Sequence, residues 1–348
     1  MHLREIIQSY NANTPLEEAS TIPSTWYANP DVANLERQTV FSRSWQVAAR
    51  VDQLRQPGSY ATCTIAGEPM VVVRGEDNRL RAFFNVCRHH AAAVVTAECG
   101  QTTELRCPYH GWTYSLEGHL KTAPDLGGIC NFDRNTAGLV PTKWMEWQDW
   151  VWVSLATDAP PAFGEIAADL QTRHLHWFER RRYSIDCNWK VFVDNYLDGG
   201  YHVPHLHRAL DSMLDYSEYQ IEIGDRYCLQ WSPFRPAGRA LYYWFYPNFM
   251  VNLYPDAMDT NLVVPVGIDQ TEVIFDFYFT DVSEAARERN LARIASSEKI
   301  QNEDVDICRS VQRGLESRSF TSGRLSVRRE AGEHLFHRLL YFDLASGL

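Results

Sequence analysis

Nothing in the 348 residues approaches the run of roughly 20 apolar residues that a bilayer-spanning helix needs, so no membrane helix is expected. Basic residues are the scarcer charge: 33 Lys and Arg stand against 44 Asp and Glu, a net charge of −11. Without a basic footprint, a nucleic-acid partner is not expected, and the acidic balance leans weakly toward a cationic small molecule or a basic docking face. The opening Met1-His-Leu-Arg-Glu-Ile-Ile lacks both the basic-then-apolar order of a secretory leader and an Arg/Ser-rich transit character, which makes the cytoplasm the expected location. No Gly-rich dinucleotide fingerprint, internal repeat or low-complexity linker is present. Cys63, Cys99, Cys130, Cys187, Cys228 and Cys308 are scattered without paired spacing, which excludes a disulfide framework and points to a reducing compartment. The remaining composition is that of a globular chain long enough for two cores.

The other two cysteines are patterned. Cys87-Arg-His89 is followed, after seventeen residues, by Cys107-Pro-Tyr-His110. Two sulfur and two imidazole donors in alternating pairs can hold a [2Fe–2S] cluster with one iron on sulfur and the other on nitrogen, which raises its potential above that of an all-Cys cluster. A structural zinc site also uses Cys and His at short spacings, but a zinc knuckle usually closes a small, otherwise unsupported unit. Here the pairs lie in loops between strand-like runs. Met70-Val-Val-Val73, a Gly75-Glu-Asp-Asn78 turn and Leu80-Arg-Ala-Phe-Phe84 precede the first, and Gly111-Trp112-Thr-Tyr114 with a Glu117-Gly118 turn follows the second. Through these residues, and above all Cys107-Pro108-Tyr109-His110-Gly111-Trp112, the sequence resembles the Rieske non-haem iron oxygenases of the alpha-subunit type. The resemblance implies an α+β chain: an all-β Rieske domain, then a helix-grip-like domain with an antiparallel sheet and a mononuclear Fe(II) site.

The expected organisation is a lead-in over 1–40 that packs on the catalytic domain, a Rieske domain over 41–157 and a catalytic domain over 158–348. Asn29-Pro30-Asp31 reads as a cap for a helix beginning at Val32. Asp158-Ala-Pro-Pro161 is the expected boundary. Beyond it, a helix-like piece from Phe163 to Phe178 precedes three long strand-like runs, Tyr219–Trp231, Ala240–Leu253 and Asn261–Thr280. A polar, helix-forming segment then runs from Ser283 to about Leu315.

A facial triad of two His and one carboxylate leaves open positions on Fe(II). The stretch from Asn188-Trp-Lys190 through Asp194-Asn195 to Tyr201-His202-Val-Pro204-His205-Leu-His207 resembles the family's signature along its whole length, and the match implies His202 and His207 as imidazole ligands. On an unbroken helix, side chains five apart diverge by about 140°. Pro204 cannot sit in a regular helix interior, so a bend between them is expected. Among Glu303, Asp304 and Asp306, only Asp304 falls on the stripe of Ile300, Ile307, Val311 and Leu315, and it is the expected carboxylate ligand. Asp194, Asp198 and His202 follow an i, i+4, i+8 spacing, expected to place them along one side of a helix. In the family an acid near here bridges a metal-bound His to a cluster His of the neighbouring subunit, usually three residues before the first metal His. This chain has Gly199 there, so the role is carried to Asp198, with Asp194 as runner-up and Asn195 beside them.

The resemblance implies a small-molecule substrate, O2, electrons from a separate ferredoxin or flavin reductase, and a homotrimer. A separate donor also fits the lack of a dinucleotide fingerprint and of a four-Cys ferredoxin run. Asp194–Pro204, Tyr246–Asn252, Met258–Pro265 and Ser310–Ser317 resemble the branch that oxidises choline toward betaine. Tyr242-Tyr-Trp244-Phe-Tyr246 and Tyr254 offer rings for a quaternary ammonium. N-demethylation of a betaine or carnitine-like compound, hydroxylation of an aromatic acid, and a simple electron carrier are the alternatives.

Overall fold

The computed structural model describes residues 2–156, 170, 172, 174–235 and 237–348. The expected boundary at Asp158–Pro161 and the start of the helix expected from Phe163 lie outside the described residues. Two compact units divide the chain: one lies within residues 41–169, and the other combines residues 1–40 with 170–348. Among the described residues no helix is long and apolar enough to cross a membrane.

The first unit is built on β1 (Gln46–Arg50), β2 (Ser59–Ile65), β3 (Glu68–Arg74), β4 (Leu80–Phe84), β5 (Cys99–Gln101), β6 (Leu105–Arg106), β7 (Thr113–Tyr114), β8 (Leu120–Thr122), β9 (Pro141–Trp147) and β10 (Trp150–Ser154). These make a seven-stranded antiparallel sheet in the order β1-β10-β9-β4-β3-β2-β5, and a small sheet β6-β7-β8. Strand alternation divides the apolar run of β3 between two cores. Val71 and Val73 pack with Cys87, Cys107, Trp112 and Tyr114, whereas Met70 and Val72 pack with Leu54, Val151 and Val153. The run is unbroken because both faces of the strand are covered.

In the second unit, α1 (Leu3–Gln8), α2 (Thr25–Ala28) and α3 (Pro30–Glu36) form the lead-in. Asn29 caps α3 by accepting the Asp31 N–H at 2.8 Å. After β11 (His176–Ile185) come α4 (Trp189–Leu197), α5 (Val203–Leu206) and α6 (Arg208–Asp211). Next are β12 (Gln220–Ile223), β13 (Tyr227–Pro233), β14 (Arg239–Phe245), β15 (Phe249–Tyr254), β16 (Ala257–Pro265) and β17 (Thr271–Phe279), then α7 (Arg287–Leu315) and α8 (Ala331–Ala345). The strands form one antiparallel sheet, β11-β17-β16-β15-β14-β13-β12.

Two expectations are corrected here. Each long strand-like run is a pair of strands, split where Gly224-Asp225, Pro247-Asn248 and Gly267-Ile268-Asp269 turn the chain back. The expected helix to Phe178 does not reach it: Trp177 and Phe178 belong to β11, whose Trp177 donates from Nε1 to Asp276 of β17 at 2.8 Å.

Candidate metal centres and substrate cavity

The two Cys/His loops have the same backbone plan. Cys87 N–H donates to Ala92 O and Ala91 N–H to Cys87 O; likewise Cys107 N–H donates to Trp112 O and Gly111 N–H to Cys107 O. The residue four after each cysteine is left-handed, Ala91 at φ 61° and Gly111 at φ 70°. Each loop therefore curls tightly enough to aim its Cys inward and its His alongside. Both sulfurs are buried and neither is in a disulfide. The rings of His89 and His110 lie 4.6 Å apart between centroids, and His89 stacks on Trp112 at 4.9 Å. Tyr114 Oη accepts the Arg88 N–H at 2.9 Å and lies 3.2 Å from Cys87 Sγ, within reach to donate to that sulfur once it is a thiolate. Such a hydrogen bond is one of the means by which a protein sets the potential of an iron–sulfur centre.

These residues fit a cluster. The Nδ1 atom of His89 is buried without a hydrogen-bond partner, which a metal would satisfy. Desolvation, with the His90 and His110 imidazoles beside it, holds His89 below the usual histidine range, and the neutral ring is the ligating form. Desolvation, opposed by the backbone N–H groups of Tyr109 and His110, pushes the Cys107 thiol up, with the adjacent Cys87 adding to the rise. A metal relieves that cost by binding both as thiolates.

In the second unit, the segment between α4 and α5 builds the other centre. Asn188 caps α4 by accepting the Lys190 N–H at 3.1 Å, and its own amide donates to Tyr27 O and Ile268 O. The helix stops after Leu197 because Gly199 and Gly200 take φ of 69° and 66°. A Cβ on Gly199 would lie 2.1 Å from the carbonyl oxygen of Arg329, so no acid fits at the position the family commonly uses. Pro204 falls in the first turn of α5, where no N–H is needed. His202 and His207 flank this single turn, and that brings together two rings five residues apart.

His202, His207 and Asp304 offer ligand atoms within 4.8 Å of one another. His207 Nε2 is 3.0 Å and His202 Nε2 3.8 Å from Asp304 Oδ1. Each imidazole is held from behind: Asp198 Oδ2 lies 2.6 Å from His202 Nδ1, and Glu303 Oε2 lies 2.7 Å from His207 Nδ1. Carboxylates on the far ring nitrogens orient metal-bound histidines and raise their basicity. Asn195 Nδ2 donates to Asp304 Oδ1 at 2.8 Å. Desolvation pulls the His207 ring down, but Asp304 and Glu303 outweigh it and the shift is upward. Two nitrogens and one oxygen converging on a point fit a facial triad. His205 is exposed and is not in the group of His202, His207 and Asp304.

Three expectations change. Asp194, Asp198 and His202 do not share one helix face: α4 ends between them, and Asp198 reaches His202 through the turn, accepting the His202 N–H at 3.0 Å. Asp194 is drawn elsewhere, taking the Tyr27 hydroxyl at 2.6 Å with His337 Nε2 at 3.0 Å. The inward stripe of α7 is Gln301, Val305, Cys308 and Gln312; Ile307 and Val311 are 38% and 43% exposed. Asp304 nevertheless turns inward, at the edge of the true stripe. Glu303, set aside in the sequence for falling off the assumed stripe, is the residue that reading missed. The signal was its adjacency to Asp304, which lets it pass behind a ring that Asp304 faces. Glu303→Gln is expected to weaken ferrous iron binding about 10–100-fold, read by iron titration of the chelated protein; unchanged affinity would show that the contact does not orient His207.

His202, His207 and Asp304 open onto a cavity of about 120 Å³ whose wall carries Tyr196, Tyr219, Tyr242 and Tyr254. Tyr219 and Tyr242 stack at 6.4 Å, and Tyr254 meets Tyr242 edge-on at 6.1 Å. Only Tyr242 of the aromatic run in β14 lines this space. Trp244 and Tyr246 pack on Phe336 of α8, and Tyr243 and Phe245 face the other side of the sheet. The wall also carries Asp259, which accepts from Asn252 Nδ2 at 2.8 Å and Asn261 Nδ2 at 3.1 Å. Burial pushes its carboxyl up to about 6 against the pull of those two amides.

Two family models match. A Rieske [2Fe–2S] domain covers residues 44–133, and the catalytic domain of the ring-hydroxylating alpha subunit covers residues 172–227 and 215–341. The chain is 38% identical to a chloroplastic choline monooxygenase of Arabidopsis thaliana, over 98% of this chain and 87% of the relative. It is 29% identical to a carnitine monooxygenase oxygenase subunit of Escherichia coli (strain K12), over 93% and 94%. The crystal structure of the quaternary ammonium Rieske monooxygenase CntA with L-carnitine is similar at a TM-score of 0.85 and 28% identity, over 97% of this chain and 98% of that one.

Proposed function

We propose, from the premise that this chain belongs to the Rieske non-haem iron oxygenases and carries their Rieske cluster and mononuclear iron, that it monooxygenates a small quaternary ammonium compound, choline first, toward betaine aldehyde hydrate. One observation carries this reading: four tyrosines, Tyr196, Tyr219, Tyr242 and Tyr254, share a cavity with His202, His207 and Asp304. A ring face attracts a quaternary ammonium by about 0.5–2 kcal/mol depending on desolvation. At about 120 Å³ the space is well below the roughly 300–1,000 Å³ of drug-sized pockets, which suits a few heavy atoms better than an aromatic acid.

We assign Cys87, His89, Cys107 and His110 to the cluster, and His202, His207 and Asp304 to the iron. When bound, the cluster supplies single electrons and the iron supplies the place where O2 is reduced. The protein's own part is positioning. Asp198 and Glu303 fix the two imidazoles, Asn195 fixes Asp304, and the tyrosines hold the ammonium so that the carbinol carbon, two bonds from nitrogen, faces the triad. The domains we assign are 41–157 for the cluster and 158–348, with the lead-in, for the iron. A separate ferredoxin or flavin reductase as donor, a homotrimer and a cytoplasmic location complete the reading, the last supported by eight unpaired cysteines.

We also assign Asp198 the passage of electrons from a neighbouring subunit's cluster, because its carboxylate backs the His202 ring directly. Asp198→Asn is expected to retain both metals and to slow turnover about 10–100-fold, measured against cluster absorption and iron content. Unchanged turnover removes the role.

A second reading, N-demethylation of a betaine or carnitine-like compound, is favoured by the likeness to carnitine monooxygenase oxygenase subunits. Oxygen uptake by the reconstituted protein across choline, betaines, carnitine and aromatic acids separates these readings. Choline oxidation releases no formaldehyde, demethylation releases it with each turnover, and aromatic attack gives a phenol or diol.

A further inference from the structure

The geometry points to Asp259 as the residue that selects substrate by net charge, admitting a monocationic quaternary ammonium alcohol and disfavouring the same ammonium when it carries a carboxylate. This rests on the reading of the cavity as a quaternary ammonium site and decides between its two substrate classes.

Asp259 sits in β16, paired with Asn252 of β15 and Phe277 of β17, the third strand in from the β11 edge and therefore on a rigid part of the wall. It is 7% exposed, and its hydrogen-bond partners are neutral side-chain amides, Asn252 and Asn261. Asn252 is itself held, accepting the Tyr196 hydroxyl at 2.8 Å. Among the described residues no Lys or Arg pairs with Asp259, and none lines the cavity. A carboxylate away from water is costly unless a positive charge faces it. Here the free volume beside it is the cavity itself, walled by rings suited to a quaternary ammonium. The missing counter-charge is then the substrate.

The same inventory argues against a zwitterion. With no Lys or Arg on the wall and His202 and His207 assigned to the iron, a substrate carboxylate is left to neutral donors such as Gln301 Nε2 and Tyr242 Oη, and it shares the small space with Asp259, whose like charge opposes it. Asp259 acts on the phenols of Tyr183, Tyr196, Tyr242 and Tyr254, all held above the usual tyrosine range chiefly by burial. None of them supplies a positive charge. Burial that raises the Asp259 carboxyl to about 6 also makes its negative charge conditional: present above that pH, lost as pH falls through it.

The test compares kcat/KM of the reconstituted full-length enzyme for choline, for its uncharged carbon isostere 3,3-dimethylbutan-1-ol, and for glycine betaine and carnitine. Wild type is expected to prefer choline to the isostere and to both zwitterions. In Asp259→Asn, close in shape and still able to accept from the flanking amides, the choline-to-isostere preference is expected to fall about 30-fold, the scale of losing one partner of a buried charge pair. The wild-type enzyme provides a second readout that needs no variant: its preference for choline over the isostere should decline as pH drops through about 6. An unchanged preference in the variant, or a zwitterion used as well as choline by wild type, overturns the charge filter while leaving quaternary ammonium oxidation standing. If the iron-loaded wild type oxidises no quaternary ammonium at all, the proposed function falls and this inference with it.

Discussion

His202→Ala is expected to abolish turnover while leaving the visible absorption and EPR signals of the cluster intact. His202 and the four Cys/His residues assigned to the cluster lie in different compact units, so removing one imidazole disturbs only the iron's own surroundings. Asp304 and His207 would remain, with His207 Nε2 still 3.0 Å from Asp304 Oδ1, but two donors hold ferrous iron far less firmly than three. Iron content should drop by one ion per chain, and turnover by more than the about 100-fold that loss of a supporting hydrogen bond alone produces. Bleaching of the cluster in this variant would show that the two centres are not separable in the way argued.

The second large effect is on stability. Lys190 is completely buried, with Nζ 2.6 Å from Glu36 Oε1. The other oxygen of Glu36 accepts the Trp189 indole N–H at 2.9 Å, and the ammonium lies over the rings of Tyr27 at 5.4 Å and Trp189 at 5.5 Å. The pair ties α3 of the lead-in to the start of α4, the helix that carries Asn195 and leads to Asp198. Lys190→Met leaves Glu36 as an uncompensated buried charge, and a cost of about 3–5 kcal/mol is expected in denaturant unfolding. Pairing it with Glu36→Leu should recover most of that loss, because two apolar side chains in place of a buried ion pair are often neutral. A loss below about 1 kcal/mol in the single variant would mean that water reaches the pair and solvates it.

How much of this was legible beforehand differs from residue to residue. The Cys/His loops and the His202–His207 pair were readable because every part of each pattern lies within a few positions. A left-handed residue four after each cysteine curls the cluster loops, and Gly199, Gly200 and Pro204 confine α5 to a single turn. The strand-rich character of both units was readable from apolar alternation, although turn residues inside the three long runs were passed over. The rotation of α7 was not readable. Its apolar residues Ile307 and Val311 face outward, and its inward stripe is largely polar, so hydrophobic periodicity pointed to the wrong face and discounted Glu303.

Sequence alone determined the sulfur and imidazole donors, since which of them stand near one another within each loop is a local property, whereas Asp304 joins His207 from 97 positions away. Tertiary structure decided what surrounds them. Tyr196 on α4, Tyr219 just before β12, Tyr242 on β14, Tyr254 on β15 and Asp259 on β16 come together only once the sheet has paired and α4 has packed upon it. Asp194 is claimed by His337, 143 positions later. A spacing rule describes neighbours along one element, whereas a cavity wall is assembled from elements whose register and rotation are set by the packing of the whole unit.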